Sequence, residues 1–158
     1  TRLHLLPNPV DVSAIRARVG PLQTPEAGAK RFVAAGRLVR QKGFDRLIAL
    51  FADLPSEYRL TILGDGPERP ALLAACEQLG MKGRIEIPGY DDNPWPHYAA
   101  ADAFLLPSRW EGMPNAALEA DSHLMNGLNV CAGKVTNRAV AETFDLEYVH
   151  PLEALALR

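Results

Sequence analysis

Two glutamates, Glu111 and Glu119, stand eight residues apart in "PSRWEGMPNAALEA" (107–120), with Gly-Met-Pro between them. Two cations, Arg37 and Lys42, stand five apart in "GRLVRQKGF" (36–44). Carboxylates accept hydrogen bonds from sugar hydroxyls. A guanidinium forks onto phosphate oxygens, and an ammonium approaches them as a mobile point charge. Pro114 suits a first helical position. Gly112, Met113, Asn115 and Ala116 then offer N–H groups at a helix start, where the macrodipole favours an anion. Glu119, about one turn further in, can accept from both hydroxyls of a vicinal diol such as a ribose. Glu111, in the loop, faces whatever extends beyond the phosphate. Taken singly, each has a bland alternative as a solvated charge. That alternative suits Glu119 least, because it sits in the apolar context Ala-Ala-Leu-Glu-Ala.

These groups need elements that bring them together. "RFVAAG" (31–36), "YRLTILG" (58–64), "GRIEIPG" (83–89) and "DAFLLP" (102–107) read as strands. Between them, "FDRLIALFADL" (44–54), "PERPALLAACEQLG" (67–80) and "NPWPHYAAA" (93–101) read as helices, and "PNAALEADSHL" (114–124) follows as another. Asp45 lies near the start of the first, and Gly80 is placed to cap the second. "NPVD" (8–11) reads as a turn before a short helix capped by Asp11. "GPLQTPEAGAK" (20–30) reads as a surface connection. The alternation predicts an α/β fold, a Rossmann-like parallel sheet with helices on both faces. Such sheets take ligands beyond the carboxyl ends of their strands. "GRLVRQKG", "GDGPER", "GYDDN" and "SRWEGMP" all fall there. In "GDGPER", Gly64 and Gly66 either make a tight turn or present backbone N–H groups to a ligand. It is not the dinucleotide fingerprint, which needs G-x-G-x-x-G.

The chain has 158 residues, 47% apolar and 23% charged, with a formal net charge of −2. That suits one soluble domain and removes bulk charge as a drive for nucleic acid binding. No apolar run reaches a membrane span and no signal peptide is visible. Two cysteines, Cys76 and Cys131, lack metal spacing. They fit reduced thiols and a cytoplasmic setting. The texture of both ends reads as part of something larger.

"FVAAGRLVRQKGFDRLI", "LTILGDGPERPAL" and "DAFLLPSRWEGMPNAALEA" closely resemble the C-terminal nucleotide-sugar-binding domain of family 4 retaining glycosyltransferases of the GT-B type. The likeness runs from about Pro7 to Ala120. It implies one half of a GT-B fold. It also implies transfer of a hexose, with retention, from a UDP- or GDP-sugar to a glycan or lipid acceptor in polysaccharide biosynthesis. Arg37 and Lys42 would neutralise the donor diphosphate, and Glu111 with the backbone of Gly112, Met113, Pro114 and Asn115 would meet the sugar and distal phosphate. Glu119 would bind the ribose. Gly89 and Tyr90 would hold the base, mainly through main chain; Gly36, read from its residue type alone, lets the backbone turn and a ligand approach closely. The resemblance implies no metal and no cofactor beyond the donor. It places the acceptor site in an N-terminal partner domain, leaves room for peripheral membrane association of the full-length enzyme, and makes the isolated segment inactive in transfer.

Beyond Ala120 the family's usual Gly-Thr-Pro-Val-Val strand is missing, so residues 1–120 read as the donor domain and 121–158 as an atypical tail. A diverged continuation can be fitted, with Gly127 as a turn, Leu128–Cys131 as a fifth strand, Asn137–Thr143 as a helix and Glu147–Val149 as a sixth strand. "GLNVCAGKVTNRAVAETFDLEYV" also resembles the C-terminal segment of alanine dehydrogenases, which leaves a fused tail as the other reading. It brings no catalytic or cofactor motif.

Competing functions are a non-catalytic nucleotide-binding module and an NAD-binding dehydrogenase domain. His4, His97, His123 and His150 lack partners at metal spacing and read as structural or exposed. Trp95 and Tyr98 either pack on the sheet or cover the third loop. Trp110 either walls the sugar site or packs in the core. Ser13 and Ser108 lack a His–Asp pattern, so a serine nucleophile is unsupported.

Overall fold

The structure is a computed structural model that describes residues 12–19, 28–110, 130–131, 134–135 and 147–148. In chain order the main body runs α1 (Val12–Val19), β1 (Lys30–Ala35), a 3₁₀ turn (Arg40–Lys42), α2 (Phe44–Ala52) and β2 (Tyr58–Leu63). It continues with α3 (Arg69–Gln78), β3 (Ile85–Gly89), α4 (Trp95–Ala100) and β4 (Ala103–Phe104). The four strands form one parallel sheet in the order β3-β2-β1-β4.

β1 sits inside the sheet, and Phe32 to Ala35 are all buried, as expected of a strand covered on both faces. The pleat sends Phe32 and Ala34 into one core and Val33 and Ala35 into the other. The first core is closed by α2 and α3. α2 presents Phe44, Leu47, Ile48 and Phe51, one helical stripe, and each such side chain contributes about 1.5–3 kcal/mol on burial. The second core holds Leu63, Phe104, Leu106 and Tyr98 of α4. Tyr98 meets Phe104 edge to face at 5.4 Å between ring centroids, and Trp95 at 5.7 Å. Trp95 and Tyr98 therefore take the packing role.

β3 is an edge strand of this sheet with an alternating pattern, Ile85 and Ile87 buried and Glu86 and Pro88 exposed. Its ladder with β2 is regular until Thr61↔Glu86 and resumes at Leu63↔Gly89, so β3 carries an extra residue there. Pro88 has no N–H to give to the ladder, and an edge bulge is where a strand tolerates it.

Local chemistry ends the helices where expected. α3 closes on Gly80 in the left-handed region (φ 67°), with Gly80 N–H donating to Glu77 at 3.0 Å and Met81 N–H to Cys76 at 2.8 Å. This is the Schellman pattern, and Met81 is buried behind it. α2 stops in a way the sequence does not announce. Arg84 Nη2 donates to the carbonyls of Phe51 (3.1 Å), Leu54 (2.9 Å) and Pro55 (2.8 Å), covering the negative end of the helix.

The short helix expected after 8–11 is α1, while its cap Asp11, most of the 20–30 connection, and the helix expected over 114–124 lie outside the described residues. The fitted continuation needs correction. β5 (Val130–Cys131) and β7 (Glu147–Tyr148) fall on the expected fifth and sixth strands, but they do not extend the four-stranded sheet. They flank β6 (Lys134–Val135), a strand not anticipated, in a separate sheet of order β5-β6-β7. β5 and β6 are antiparallel with only two residues between them. That link allows a hairpin and is far too short for the crossover a parallel neighbour requires. Gly127 and 137–143 lie outside the described residues.

Candidate functional site

The carboxyl ends of the strands converge on one rim built from backbone. Gly36 N–H donates to Leu63 O at 3.0 Å, and Gly64 N–H donates to Gly89 O at 2.8 Å. Leu38 N–H donates to Asp65 O at 2.9 Å, and Glu68 N–H returns to Leu38 O at 3.0 Å. The loops after β1, β2 and β3 are thus laced together. Gly64 has φ 132°, and a Cβ there would run into the carbonyl of Gly36. Gly66 would meet Leu38 in the same way, and its own N–H is taken by Asp65 Oδ1 at 2.7 Å. The glycines of "GDGPER" therefore serve the tight turn and not a display of free donors. The N–H groups of Gly36 and Gly64 are engaged within the rim itself, and the open side of Gly89 faces the Arg69 guanidinium.

The loop after β1 carries both expected cations. Arg37 is exposed immediately beyond Gly36. Lys42 ends the 3₁₀ turn, and its stem lies along Gly36. A Cβ on Gly36 would sit 3.5–3.8 Å from Cε, Cδ and Cγ of Lys42. The lysine stem therefore runs past Gly36 at a distance that even a Cβ would meet in ordinary contact.

The loop after β4 is fastened to this same turn. Arg109 N–H donates to Gln41 O at 2.8 Å, and Gln41 Nε2 donates to Trp110 O at 3.0 Å. Trp110 adjoins Glu111 in sequence, and Gln41 adjoins Lys42. Arg109 Nη1 donates to Arg40 O at 2.6 Å and Asp45 Oδ1 at 2.9 Å, and Nη2 to Asp45 Oδ2 at 2.7 Å. The guanidinium hydrogen bond is the main cause that holds the Asp45 carboxyl below its ordinary value of 3.8. Asp45 in turn pushes the guanidinium further up. The pair was not foreseen. The two residues are 64 apart in sequence, and neither belongs to a local motif that names the other.

The loop after β3 is held at its flank. Asn93 N–H donates to Asp91 Oδ1 at 2.8 Å, and Asp91 Oδ2 pairs with His97 Nε2 at 3.2 Å. His97 thus has a structural partner. Asn93 Nδ2 donates to Arg18 O at 3.2 Å, tying α1 to this loop. Arg69 Nη2 donates to Ile87 O at 3.0 Å, supporting the strand just before Gly89. Tyr90 projects into solvent, 78% exposed. Trp110 is 61% exposed, which removes it from the core. Ser108 is buried.

Gly36, Arg37, Lys42, Gly64, Gly89 and Tyr90 thus share one rim. Glu111, Gly112, Met113, Pro114, Asn115 and Glu119 lie outside the described residues. Among the described residues, no group of three or more His, Cys, Asp or Glu side chains could hold a metal ion, and no helix is long and apolar enough to cross a membrane. A cavity of about 390 Å³ lies part way down the strands, between Arg31, Thr61 and Glu86 of the sheet and Pro96 and His97 of α4. It is separate from the rim.

Residues 23–139 match the family model described as glycosyl transferases group 1. The lipopolysaccharide core biosynthesis glycosyltransferase LpsE of Rhizobium meliloti (strain 1021) is 41% identical over 99 residues, covering 63% of this chain and 28% of that protein. LpsD of the same organism, with the same description, is 34% identical over 146 residues, covering 89% of this chain and 39% of that protein. The chain therefore spans well under half the length of these relatives. Among solved structures, the lipopolysaccharide outer core galactosyltransferase WaaB superposes with a TM-score of 0.58 at 30% identity, over 65% of this chain and 30% of that one. Anabaena Alr3699/HepE in complex with UDP shares the fold, with a TM-score of 0.55 at 23% identity, over 69% of this chain and 30% of that one. The family match runs past Ala120 to residue 139, and the alanine dehydrogenase resemblance of the tail finds no support in these matches. The chain belongs to the glycosyl transferases group 1 family.

Proposed function

We propose that this chain is the donor-binding part of a retaining glycosyltransferase that moves a hexose from a UDP- or GDP-sugar to a glycan or lipid acceptor. Residues 1–120 are the nucleotide-sugar-binding unit, with 121–158 as an atypical tail. The observation that carries the reading is the joining of two loops at one rim. The Lys42 stem lies on Gly36, and Gln41 holds the carbonyl of Trp110, so the Arg37–Lys42 turn meets the chain that leads into Glu111.

The physics of the reaction fits this arrangement. Breaking the bond from anomeric carbon to diphosphate leaves growing negative charge on the departing nucleoside diphosphate. Arg37, Lys42 and the N–H groups of Gly112, Met113 and Asn115 would neutralise it as it forms, a task a metal ion performs elsewhere. Glu119 would read the ribose hydroxyls, Glu111 the sugar, and the Gly89–Tyr90 backbone the base. The sugar passes through a transition state with positive character near its ring oxygen, and the acceptor attacks from the face that the diphosphate leaves. Acceptor recognition would fall to residues outside this segment, which fits its short span relative to LpsE and LpsD. The UDP in the Alr3699/HepE complex motivates uridine as the first nucleotide to try.

Calorimetric titration of the chain with UDP, GDP, ADP and pyrophosphate tests this. We expect a nucleoside diphosphate to bind at millimolar affinity or tighter. Lys42→Ala should weaken UDP and pyrophosphate alike, by about 1.5–3 kcal/mol for a lost charge-assisted contact. Glu119→Ala should weaken UDP and spare pyrophosphate. Equal losses for both ligands in Glu119→Ala would remove the ribose assignment, and no nucleotide binding at all would remove the reading.

A further inference from the structure

We infer that Asp45 and Arg109 are positioning residues, a clamp that holds the Lys42-bearing turn in register with the chain at Trp110 and so sets the geometry of the donor diphosphate site. This rests on the donor-site reading above.

The turn needs such a clamp. It is only three residues of 3₁₀ helix, its preceding residue Val39 supplies no side-chain cap, and it leaves through Gly43 in the left-handed region (φ 70°). A 3₁₀ turn this short has little stability of its own. Arg109 makes two hydrogen bonds to the turn itself, backbone N–H to Gln41 and Nη1 to Arg40, and two more, from Nη1 and Nη2, to Asp45 in the first turn of α2 just beyond it. Gly43 sits directly beneath, where any Cβ would strike the Pro107 carbonyl. The loop after β4 therefore packs on the turn at backbone distance, and Arg109 locks that contact. A planar fork on a carboxylate fixes orientation in a way a point charge cannot.

The alternative is that Arg109 is itself a phosphate ligand. Its two terminal nitrogens are engaged by the Asp45 carboxylate and the Arg40 carbonyl, and its charge is matched by Asp45. An arriving anion meets a neutral pair. Nor is the pair there chiefly for global stability. The Asp45 side chain is 48% exposed, and pairs this open to water add little to folding. What the pair supplies is distance and angle between two loops.

The two roles predict opposite signs for one substitution. Asp45→Asn keeps the shape and frees the guanidinium. If Arg109 bound phosphate directly, the extra positive charge would tighten anion binding. If Arg109 positions the turn, loosening it weakens binding. Kd values for UDP and for pyrophosphate would be measured on the full chain for wild type, Asp45→Asn, Arg109→Ala, Arg109→Lys and the Asp45→Asn/Arg109→Ala double variant. Melting temperatures and ¹⁵N–¹H spectra of the Gly36 and Gly43 amides accompany each.

We expect Asp45→Asn and Arg109→Ala each to weaken both ligands about tenfold, within the range for members of one network. The double variant should be no worse than either single one, Arg109→Lys should not rescue, and the Gly36 and Gly43 amides should shift while the melting temperature stays within a few degrees. Tighter binding in Asp45→Asn, wild-type affinity in both single variants, or additive losses in the double variant would each overturn the clamp. So would affinity that falls only as far as the melting temperature does. Wild type binding neither ligand would overturn the donor site itself and the clamp with it. Wild type binding with indifferent variants would overturn the clamp alone.

Discussion

A Cβ on Gly64 would collide with the carbonyl oxygen of Gly36. The two glycines immediately follow neighbouring strands, β2 and β1, and their contact lets the loops they open share a rim. The fold and the site meet at this point. The backbones approach closely because no side chain on Gly64 stands between them, and the Lys42 stem runs alongside Gly36 at the same place.

The first prediction compares two glycines with positive φ. Gly64→Ala adds a clash with backbone to a strained conformation (φ 132°), whereas Gly80→Ala adds strain alone (φ 67°), with nothing within 4 Å of the new Cβ. Gly80→Ala should cost about 1 kcal/mol, and Gly64→Ala about 3 kcal/mol or more. Urea denaturation of both variants measures the difference; equal costs would mean the Gly36 loop yields freely.

Acid should act on the Asp45–Arg109 pair. The folded-state carboxyl of Asp45 lies below its ordinary value of 3.8 because Arg109 favours the ionised form. Its contribution is therefore present above the unfolded pKa and is lost as pH falls through the folded one. Asp45→Asn should remove that share of the pH dependence below about pH 4, a small flattening of the stability profile because the pair is open to water. Thermal melts from pH 7 to pH 3 on both proteins check it, and parallel profiles would contradict it.

Arg84 holds three carbonyls at the end of α2 with one nitrogen. Arg84→Ala should destabilise by about 1–3 kcal/mol, since the carbonyls it leaves are only partly reached by water. Chemical denaturation gives the value. Hydrogen exchange should quicken at the C-terminal turn of α2 and leave α3 protected; uniform loss of protection would mean that the cap is not local.

Cys76 is buried in the first core, and burial pushes its thiol above the ordinary value of 9.0. The thiolate is the reactive form, so Cys76 should be inert to thiol reagents in the native state at pH 8. In a Cys131→Ser background, labelling should begin only as urea unfolds the chain. Rapid labelling in native buffer would show that the α3 face opens.

Much of this was legible in the chain. The runs 31–36, 58–64, 83–89 and 102–107 fix four strands, because strand-length apolar segments between amphipathic helices have few other ways to be buried. Topology then follows, since parallel strands joined through helices put all four following loops at one edge. Gly36, Arg37, Lys42, Gly64, Gly89 and Tyr90 could be placed there from sequence for that reason. What sequence could not supply is which loop touches which. Asp45 and Arg109, or Arg84 and the end of α2, become neighbours only when the sheet order β3-β2-β1-β4 is set, and no local pattern encodes a meeting across 64 residues or 33. Trp110 could be core or surface until the β4 loop folded onto the Arg40–Lys42 turn and left it in solvent. Local propensity and periodicity are carried by neighbours along the chain and can be read from it. Pairing between loops depends on long-range packing, and the tertiary structure alone decided it.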